Sequence, residues 1–484
     1  MTDATQPLGG RTLLGAGWLV LSRFSSRLID FGMLLVLARL LVPADFGLVA
    51  LAMTVISVVD IVLEVPVTQA LTRLPGVERS HLDTGFTLGL LRGLVIVALV
   101  AAASWPLAAV YRDDRLIELL LVLAAGPAMR GLYNPAMVHF VRGINFRPAV
   151  LAELVGKIYA ACLALTVASS GGGYWALAAS SVAAPFITTA ISYGLSPYRP
   201  RISLERLPDF AGFVGWFSAA QILAALNWQY DRMILGRVLD RGTFGQFAMA
   251  SDVAVLPTQS LVGPAMQPVM AALSRLAGDG ERLRGAFLKA ARFAMLVSVP
   301  VCLGMALTGD LAVGILLGPN WREAAPLLQG LALTVLTIPY FQATYSLALA
   351  VDRPSAIFRL NAIDLALRIG LIALGLWWAG VMGVIVARGM LALVLFALSL
   401  LAVRRLIGAS LSSQLVNLWK VAIAGAAMSA AVLGLRRGIE PRGWTPVVTL
   451  AACAATGAAV YAASLLALGL RLVVGKGRFE VVDR

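Results

Sequence analysis

The chain is a succession of long apolar segments separated by short polar connections. A helix that crosses a membrane needs about 20 mostly apolar residues. Prolines, glycines and charges divide this sequence into fourteen such segments, near 12–38, 46–71, 84–110, 116–139, 149–169, 174–195, 209–236, 244–273, 287–308, 324–350, 356–378, 381–403, 415–435 and 445–470. Only 13% of the 484 residues are charged, against about 25% in soluble domains. We therefore predict an all-α polytopic membrane protein with about 14 transmembrane helices.

An internal repeat divides these helices into two halves. Residues 17–69 align without a gap with residues 215–267, and 14 of the 53 positions are identical. Phe46-Gly47 matches Phe244-Gly245, and Pro66 matches Pro264. Because six spans separate the copies, both copies run in the same direction across the membrane, as in a parallel repeat.

The repeat predicts two pseudo-twofold-related lobes of six helices, followed by two further helices. The predicted boundaries are an N-terminal lobe with helices 1–6 at 1–195, a cytoplasmic linker at 196–208, a C-terminal lobe with helices 7–12 at 209–403, and helices 13–14 with a cytoplasmic tail at 404–484.

Charge in the connections predicts the orientation. The formal net charge is +14, and it is scattered between apolar segments, which argues against nucleic-acid binding. The connections on one side hold 20 lysines and arginines and those on the other side hold 9. The excess marks the cytoplasmic side and predicts that both termini are cytoplasmic. Three cysteines and two histidines form no metal-ligand pattern, and we expect no cofactor.

Several ionisable residues fall inside the predicted spans: Arg23, Arg27, Asp30, Asp60, Glu64, Arg92, Arg130, Asp231, Arg232 and Asp252. Each costs at least about 2.5 kcal/mol at mid-membrane, so such groups usually face a partner or a wet cavity. Arg23, Arg27 and Asp30 are spaced by four and three, which places them on one helix face. In the second copy, Gln221 and Ala225 replace the two arginines, so the positive character belongs to the first half.

Two interpretations of these charges stay open, and both can hold. Asp60 and Glu64 could neutralise Arg23 and Arg27 and join the first two helices, or the arginines could line a cavity that binds an anion. Two further pairs at spacing i,i+4 favour a structural role: Glu153 with Lys157, and Asp364 with Arg368.

A proline late in the second span of each half, Pro66 or Pro264, permits a bend there. The bend could act as a hinge beside a cavity, or it could be a static kink.

Two segments carry a family resemblance. The first is GAGWLVLSRFSSRLIDFGMLLVLARLLVPADFGLVALAMTVI and the second is FRPAVLAELVGKI. They resemble the polysaccharide transporter family of the multidrug/oligosaccharidyl-lipid/polysaccharide exporter superfamily, in particular Wzx-type lipid-linked oligosaccharide flippases of the colanic-acid-exporter kind. The most specific part is A-R-L-L-x-P-x-D-F-G, from Ala38 to Gly47.

The resemblance implies a bacterial inner-membrane protein whose two lobes give alternating access to a cavity. The cargo would be an oligosaccharide on undecaprenyl diphosphate, moved to the periplasmic leaflet for exopolysaccharide, capsule or O-antigen synthesis. Besides membrane lipids, the candidate partners are a glycan polymerase and glycosyltransferases.

Arginine binds phosphate through two parallel hydrogen bonds. The candidates for holding the diphosphate are Arg23, Arg27, Arg92 and Arg130. The candidates for cavity polarity or for coupling to H⁺ or Na⁺ are Asp30, Asp60, Glu64, Asp231, Arg232 and Asp252.

Two other functions compete with a flippase. A cation-coupled multidrug or metabolite antiporter of the same superfamily needs the mid-membrane carboxylates but not the arginines of the first span. A membrane enzyme such as a glycan polymerase or ligase usually has a large outside loop, and the loops here are short. We expect a transporter.

Overall fold

The computed structural model describes the backbone of residues 8–439, 443–475 and 478–483. The described chain is almost entirely helical and confirms the predicted fold class. It forms two compact units, Met1–Gly245 and Gln246–Arg484. The lobe and linker boundaries of the sequence stay predictions.

The first unit consists of nine helices and one 3-10 turn within its described residues. They are α1 (Leu8–Leu40), α2 (Pro43–Val62), α3 (Val67–Arg73), α4 (Arg79–Tyr111), α5 (Arg115–Gly131), the 3-10 turn Pro135–Met137, α6 (Val138–Arg142), α7 (Arg147–Ser169), α8 (Trp175–Leu195) and α9 (Leu207–Val238). Helix α7 packs on α8 and α1, α4 packs on α5, and α5 packs on α8. Helix α9, the seventh predicted span, packs mainly on α2.

The second unit contains the remaining helices and a terminal hairpin. They are α10 (Arg241–Pro257), which begins in the last residues of the first unit, the π-helical segment Thr258–Val262, α11 (Gly263–Arg275), α12 (Gly280–Leu316), the 3-10 turn Pro319–Trp321, α13 (Ala324–Thr334), α14 (Ile338–Ala350), α15 (Pro354–Ile407), α16 (Leu411–Ile439), α17 (Pro446–Ala467), β1 (Leu470–Gly475) and β2 (Arg478–Asp483). Strands β1 and β2 pair antiparallel, with Leu470 opposite Asp483. This hairpin lies in the segment where the sequence predicts only a tail.

The protein is a multi-pass membrane protein. In the described part of the chain, nine helices are long and apolar enough to cross a membrane. The number is ten if Arg115–Gly131 and Pro135–Arg142, bent by 49°, form one broken span. The predicted count of fourteen is not confirmed.

Helix α15 covers two of the predicted spans in one run of 54 residues. Its backbone leaves the helical region at Ala379 (φ −144°, ψ 27°) and Gly380 (φ 58°, ψ −136°). The two arms fold back on each other. Their close approach shows this, since a Cβ on Gly375 would lie 2.4 Å from the carbonyl oxygen of Gly383. The sequence places a boundary between spans at this point, and the turn lies there.

The repeated Phe-Gly motif has a packing role. Phe46 and Phe244 are both buried. A Cβ on Gly47 would lie 2.0 Å from the carbonyl oxygen of Arg241, and a Cβ on Gly245 would lie 1.9 Å from that of Pro43. The first turns of α2 and α10 therefore touch backbone to backbone, which only glycine allows at these two positions.

Candidate functional site

A cavity of about 950 Å³ opens within the first unit. Each surrounding helix contributes one face: Glu153, Lys157 and Ala160 on α7 are spaced by four and three, and Ser181 and Thr188 on α8 are spaced by seven. Its volume is at the upper end of the roughly 300–1,000 Å³ of ligand pockets. Six residues that the sequence predicts for the site line it together: Asp30, Asp60, Glu64, Pro66, Arg92 and Arg130.

Asp60 is the centre of the main ion-pair network of the cavity. Arg92 donates through Nη2 to one carboxylate oxygen of Asp60, and Arg130 donates through Nη2 to the other at 2.7 Å. One carboxylate thus holds two arginines from neighbouring helices, α4 and α5. The sequence left open a pairing of Asp60 with Arg23 and Arg27; the described partners of Asp60 are Arg92 and Arg130.

Arg92 also supports the end of helix α2. Its Nε donates to the carbonyl oxygen of Leu63 at 2.8 Å, and Nη2 donates to the carbonyl oxygen of Asp60 at 3.1 Å. The last carbonyls of a helix lack intrahelical partners, and Arg92 satisfies two of them. The chain then breaks before α3, with Pro66 at φ −78° and ψ 64°, so Arg92 stabilises the bend.

Helices α1 and α7 are joined by a second set of polar contacts. Lys157 donates through Nζ to Asp30, and the hydroxyl of Ser26 donates to Glu153 at 2.9 Å. The sequence treats Glu153 and Lys157 as a structural pair and leaves them out of the site. Both line the cavity, and their mid-span position was the signal that could have identified them.

The predicted pair of Asp364 with Arg368 in the second unit is confirmed, at 3.1 Å.

Close packing of α4 against α5 forms one wall of the cavity. A Cβ on Gly89 would lie 1.9 Å from the carbonyl oxygen of Gly131, and one on Gly131 would lie 2.5 Å from that of Gly89. Both glycines line the cavity. They bring the backbones together and so set how near Arg92 and Arg130 come to the same carboxylate.

The described lining residues of the cavity carry a slightly negative formal charge. Among its described lining residues, three are cationic (Arg92, Arg130 and Lys157) and four are carboxylates (Asp30, Asp60, Glu64 and Glu153). All three cations donate to a carboxylate within the cavity. The arrangement suits a polar ligand of low net charge better than a polyanion.

The other predicted residues lie elsewhere. Arg27 is exposed on α1, one turn before Asp30, and the side chain of Arg23 lies outside the described residues. Asp231 is buried on α9, with Arg232 beside it. None of these is among the described lining residues of the cavity.

Two predicted residues belong to the second unit. Asp252 is exposed on α10. Pro264 lies in the first turn of α11, directly after the π-helical segment, and its side chain is outside the described residues.

Comparison with known proteins agrees with this architecture. Lipopolysaccharide biosynthesis protein WzxC of Escherichia coli (strain K12) is 23% identical over 424 residues, 84% of each chain. Succinoglycan biosynthesis transport protein ExoT of Rhizobium meliloti (strain 1021) is 25% identical over 335 residues, 67% of this chain and 68% of that one.

A solved structure, the lipid II flippase MurJ in an inward closed conformation, matches 93% of this chain and 98% of that chain with a TM-score of 0.72 and 13% sequence identity. This likeness establishes the shared fold. The family described as polysaccharide biosynthesis protein matches residues 36–326. Because that match covers more than half of the chain, the protein belongs to the polysaccharide biosynthesis protein family.

Proposed function

We propose that the protein is a flippase that moves oligosaccharide linked to undecaprenyl diphosphate from the cytoplasmic to the periplasmic leaflet of the bacterial inner membrane. The cargo would serve the synthesis of an exopolysaccharide, a capsule or O-antigen. The observation that carries the proposal is the polar, charged cavity enclosed by apolar helices in a member of a polysaccharide biosynthesis family. Two relatives bear the names of a lipopolysaccharide biosynthesis protein and a succinoglycan transport protein.

The physical task explains why such a cavity is needed. A glycan or a diphosphate loses its hydration shell in hydrocarbon, and each unpaired polar group costs several kcal/mol. The cavity supplies hydroxyls, carboxylates and cations among helices that are apolar enough to cross a membrane. Alternating access, in which the two halves of the repeat expose the cargo first to one side and then to the other, would complete the transfer.

Within this proposal the arginines divide into two groups. Arg27 is exposed on α1, and we assign the diphosphate to Arg27 together with Arg23, four residues before it. Arg92 and Arg130 already donate to Asp60, so their role is to hold that carboxylate and the bend after α2. Both termini would lie in the cytoplasm.

The remaining predicted residues keep proposed roles in release and motion. Protonation or cation binding at Asp30, Asp60 or Glu64 would change the charge beside the cargo. Asp231 and Asp252 would act similarly in the second copy of the repeat, where Arg232 would contribute a fixed positive charge. Pro66 follows the break after α2 and Pro264 follows the π-helical segment. Both are candidate hinges.

Transport by reconstituted protein tests the function. Proteoliposomes would carry the lipid-linked oligosaccharide extracted from the bacterium that encodes the protein, and a membrane-impermeant glycosidase would report the fraction on the outer face. We expect wild-type protein to move the oligosaccharide that starts on the inner face to the outer face, where the glycosidase can cleave it. Arg23→Gln/Arg27→Gln protein, present at equal abundance, should slow this at least tenfold. Transport by that variant at the wild-type rate would remove the arginines from the proposal.

A gene deletion in the source bacterium separates a flippase from an antiporter. We expect loss of the surface polysaccharide and accumulation of the lipid-linked unit, with unchanged drug susceptibility. Increased drug susceptibility with a normal glycan would instead identify a multidrug antiporter. A lipid-linked unit that still reaches the periplasm but is not joined into polymer would identify an enzyme.

A further inference from the structure

The linker between α8 and α9 is fixed to helix α4. The backbone N–H of Ser203 donates to the hydroxyl of Thr87 at 2.9 Å. The backbone N–H of Arg206 donates to the hydroxyl of Thr84 at 3.2 Å, and its side chain donates to Glu78, directly before α4, at 2.7 Å. Thr84 and Thr87 are spaced by three and lie on one face of the helix. This face therefore holds the second half of the linker.

The first half of the linker is held in the same way. The Tyr198 hydroxyl donates to a carboxylate oxygen of Asp83 at 2.6 Å, and the side-chain amide of Asn134 donates to the carbonyl oxygen of Ser196 at 2.8 Å. Asp83 and Asn134 are both buried. The linker thus follows a fixed course, and the exposure of its other side chains is a property of the fold.

Three large apolar side chains of this segment are directed away from the protein. Ile202 is 77% exposed, Leu204 is 46% exposed and Leu207, the first residue of α9, is 40% exposed. Ile202 and Leu204 flank Ser203, whose N–H is bonded to α4. Exposed apolar side chains that cluster beside polar ones mark an interaction surface.

The charge of the segment indicates an anionic partner. Residues 196–208 contain three arginines and one glutamate. Arg206 is paired with Glu78, whereas Arg199 and Arg201 are exposed directly before Ile202. Basic residues next to exposed apolar ones are typical of segments that lie on an anionic membrane surface.

Helix α4 indicates the depth of the linker in the membrane. Its 33 residues give a length of about 50 Å, so a helix centred on about 30 Å of hydrocarbon extends about 10 Å into the headgroups at each end. Thr87 lies eight residues after Arg79, where α4 begins, a rise of about 12 Å. Ser203, bonded to Thr87, therefore lies at the boundary between headgroups and hydrocarbon, where lipid rather than a soluble protein is the neighbour.

We propose that the linker is an interfacial membrane anchor. Ile202, Leu204 and Leu207 insert among the lipids, and Arg199 and Arg201 bind anionic phospholipid headgroups. The leaflet is the one on the linker's side, which the charge bias predicts to be cytoplasmic. This anchor would fix the start of α9, and with it the join between the two halves, to the membrane surface whatever cargo the protein carries.

A small fluorophore on the linker tests the insertion. In protein whose Cys162, Cys302 and Cys453 are replaced by alanine, Ile202→Cys and Glu205→Cys would each be labelled with bimane in nanodiscs of phosphatidylcholine and phosphatidylglycerol. Glu205 is exposed in the same linker and serves as the control. We expect phospholipid that carries a nitroxide on its acyl chain to quench bimane at 202, and iodide in the buffer to quench bimane at 205.

The headgroup preference needs a second measurement. Each arginine near an anionic surface contributes about 1 kcal/mol, so phosphatidylglycerol should be enriched about fivefold over its bulk ratio around position 202. Nitroxide-labelled phosphatidylglycerol and phosphatidylcholine, compared as quenchers, report this ratio. Arg199→Gln/Arg201→Gln should return it to the bulk value. Arg437→Gln, which removes an exposed arginine on α16, should leave it unchanged.

Three results would overturn the anchor. Iodide quenching at 202 as strong as at 205 would place the apolar side chains in water, and protection of the same site in native membrane vesicles would then identify a protein partner instead. Equal lipid quenching at both positions would remove the orientation of the segment. Equal quenching by both lipids in the protein with intact arginines would remove the headgroup contacts.

Discussion

Two arginines that bind one carboxylate differ in how fully the protein uses them. The side chain of Arg92 is 12% exposed and donates to Asp60 and to the carbonyl of Leu63. The side chain of Arg130 is 50% exposed and contacts Asp60 through one nitrogen. The same residue type thus has a structural role on α4, whereas on α5 its side chain is half-exposed.

Lysine substitutions measure this difference. Arg92→Lys keeps the charge but cannot satisfy the carboxylate and two carbonyls in one plane, so the free energy of unfolding should fall by about 2 kcal/mol. Arg130→Lys should change it little, because that pair is half-exposed. Thermal unfolding of the purified proteins in one detergent gives the comparison. Equal shifts in the two variants would show that the Arg92 bonds to α2 contribute nothing.

A second ionic cluster outside the membrane spans predicts a pH dependence. Burial would raise the pKa of Asp113, but hydrogen bonds from Arg115 and Arg241 outweigh it and hold this pKa below its usual value. A lowered folded-state pKa contributes stability above the unfolded value of about 3.9, and this stability is lost as the pH falls through the folded pKa.

Asp113→Asn should therefore unfold at lower temperature than wild type at pH 7, by the equivalent of about 1–2 kcal/mol. This difference in unfolding temperature between the two proteins should stay constant down to about pH 5 and narrow below about pH 4. A gap that widens on acidification would contradict the assigned ion pairs. Melting curves from pH 3 to pH 8 supply the measurement.

At the scale of elements, breaks in the helices matter as much as the helices themselves. Helix α2 ends before Pro66, a π-helical segment precedes Pro264, and α15 reverses at Gly380. The first two breaks lie at the matched prolines of the repeat, where a missing N–H permits a bend. The third depends on a backbone conformation that is essentially restricted to glycine.

Two glycines of α15 isolate that conformational effect. A Cβ on Gly380 or on Gly370 would meet no atom within 4 Å, and only Gly380 has a positive φ, of 58°. Gly380→Ala should therefore cost about 1–3 kcal/mol of stability, while Gly370→Ala should be neutral or stabilise the helix. Thermal unfolding of both variants tests this; a Gly380→Ala protein as stable as Gly370→Ala would argue against the turn.

At the scale of the whole molecule, the repeat and the distribution of charge describe different properties. The repeat explains why Gly47 and Gly245 recur, since each lies against the backbone at the start of the partner helix. The excess of lysine and arginine in alternate connections predicts the orientation in the membrane. Orientation is a property of the whole chain, and it stays a prediction.

Single cysteines test the orientation. With Cys162, Cys302 and Cys453 replaced by alanine, we expect Asp114→Cys to react with a membrane-impermeant maleimide in cells whose outer membrane alone is permeabilised. Glu205→Cys should react only after the inner membrane is opened. Both native side chains are exposed, so the side of the inner membrane on which the cysteine lies, rather than its burial, decides whether it is labelled. The reverse pattern would invert the predicted topology.

The sequence by itself determined the membrane class, the helical architecture and the family, because apolar length, repeat and motif are properties of order along the chain. It also identified Asp30, Asp60, Glu64, Arg92 and Arg130 as costly mid-span charges, all of which line one cavity. The tertiary structure alone decided their partners, because pairing depends on how each helix is rotated and how closely it packs. Asp60 therefore contacts arginines of α4 and α5, Lys157 contacts Asp30 of α1, and hydroxyls of α8 complete a wall that no spacing in the sequence had marked.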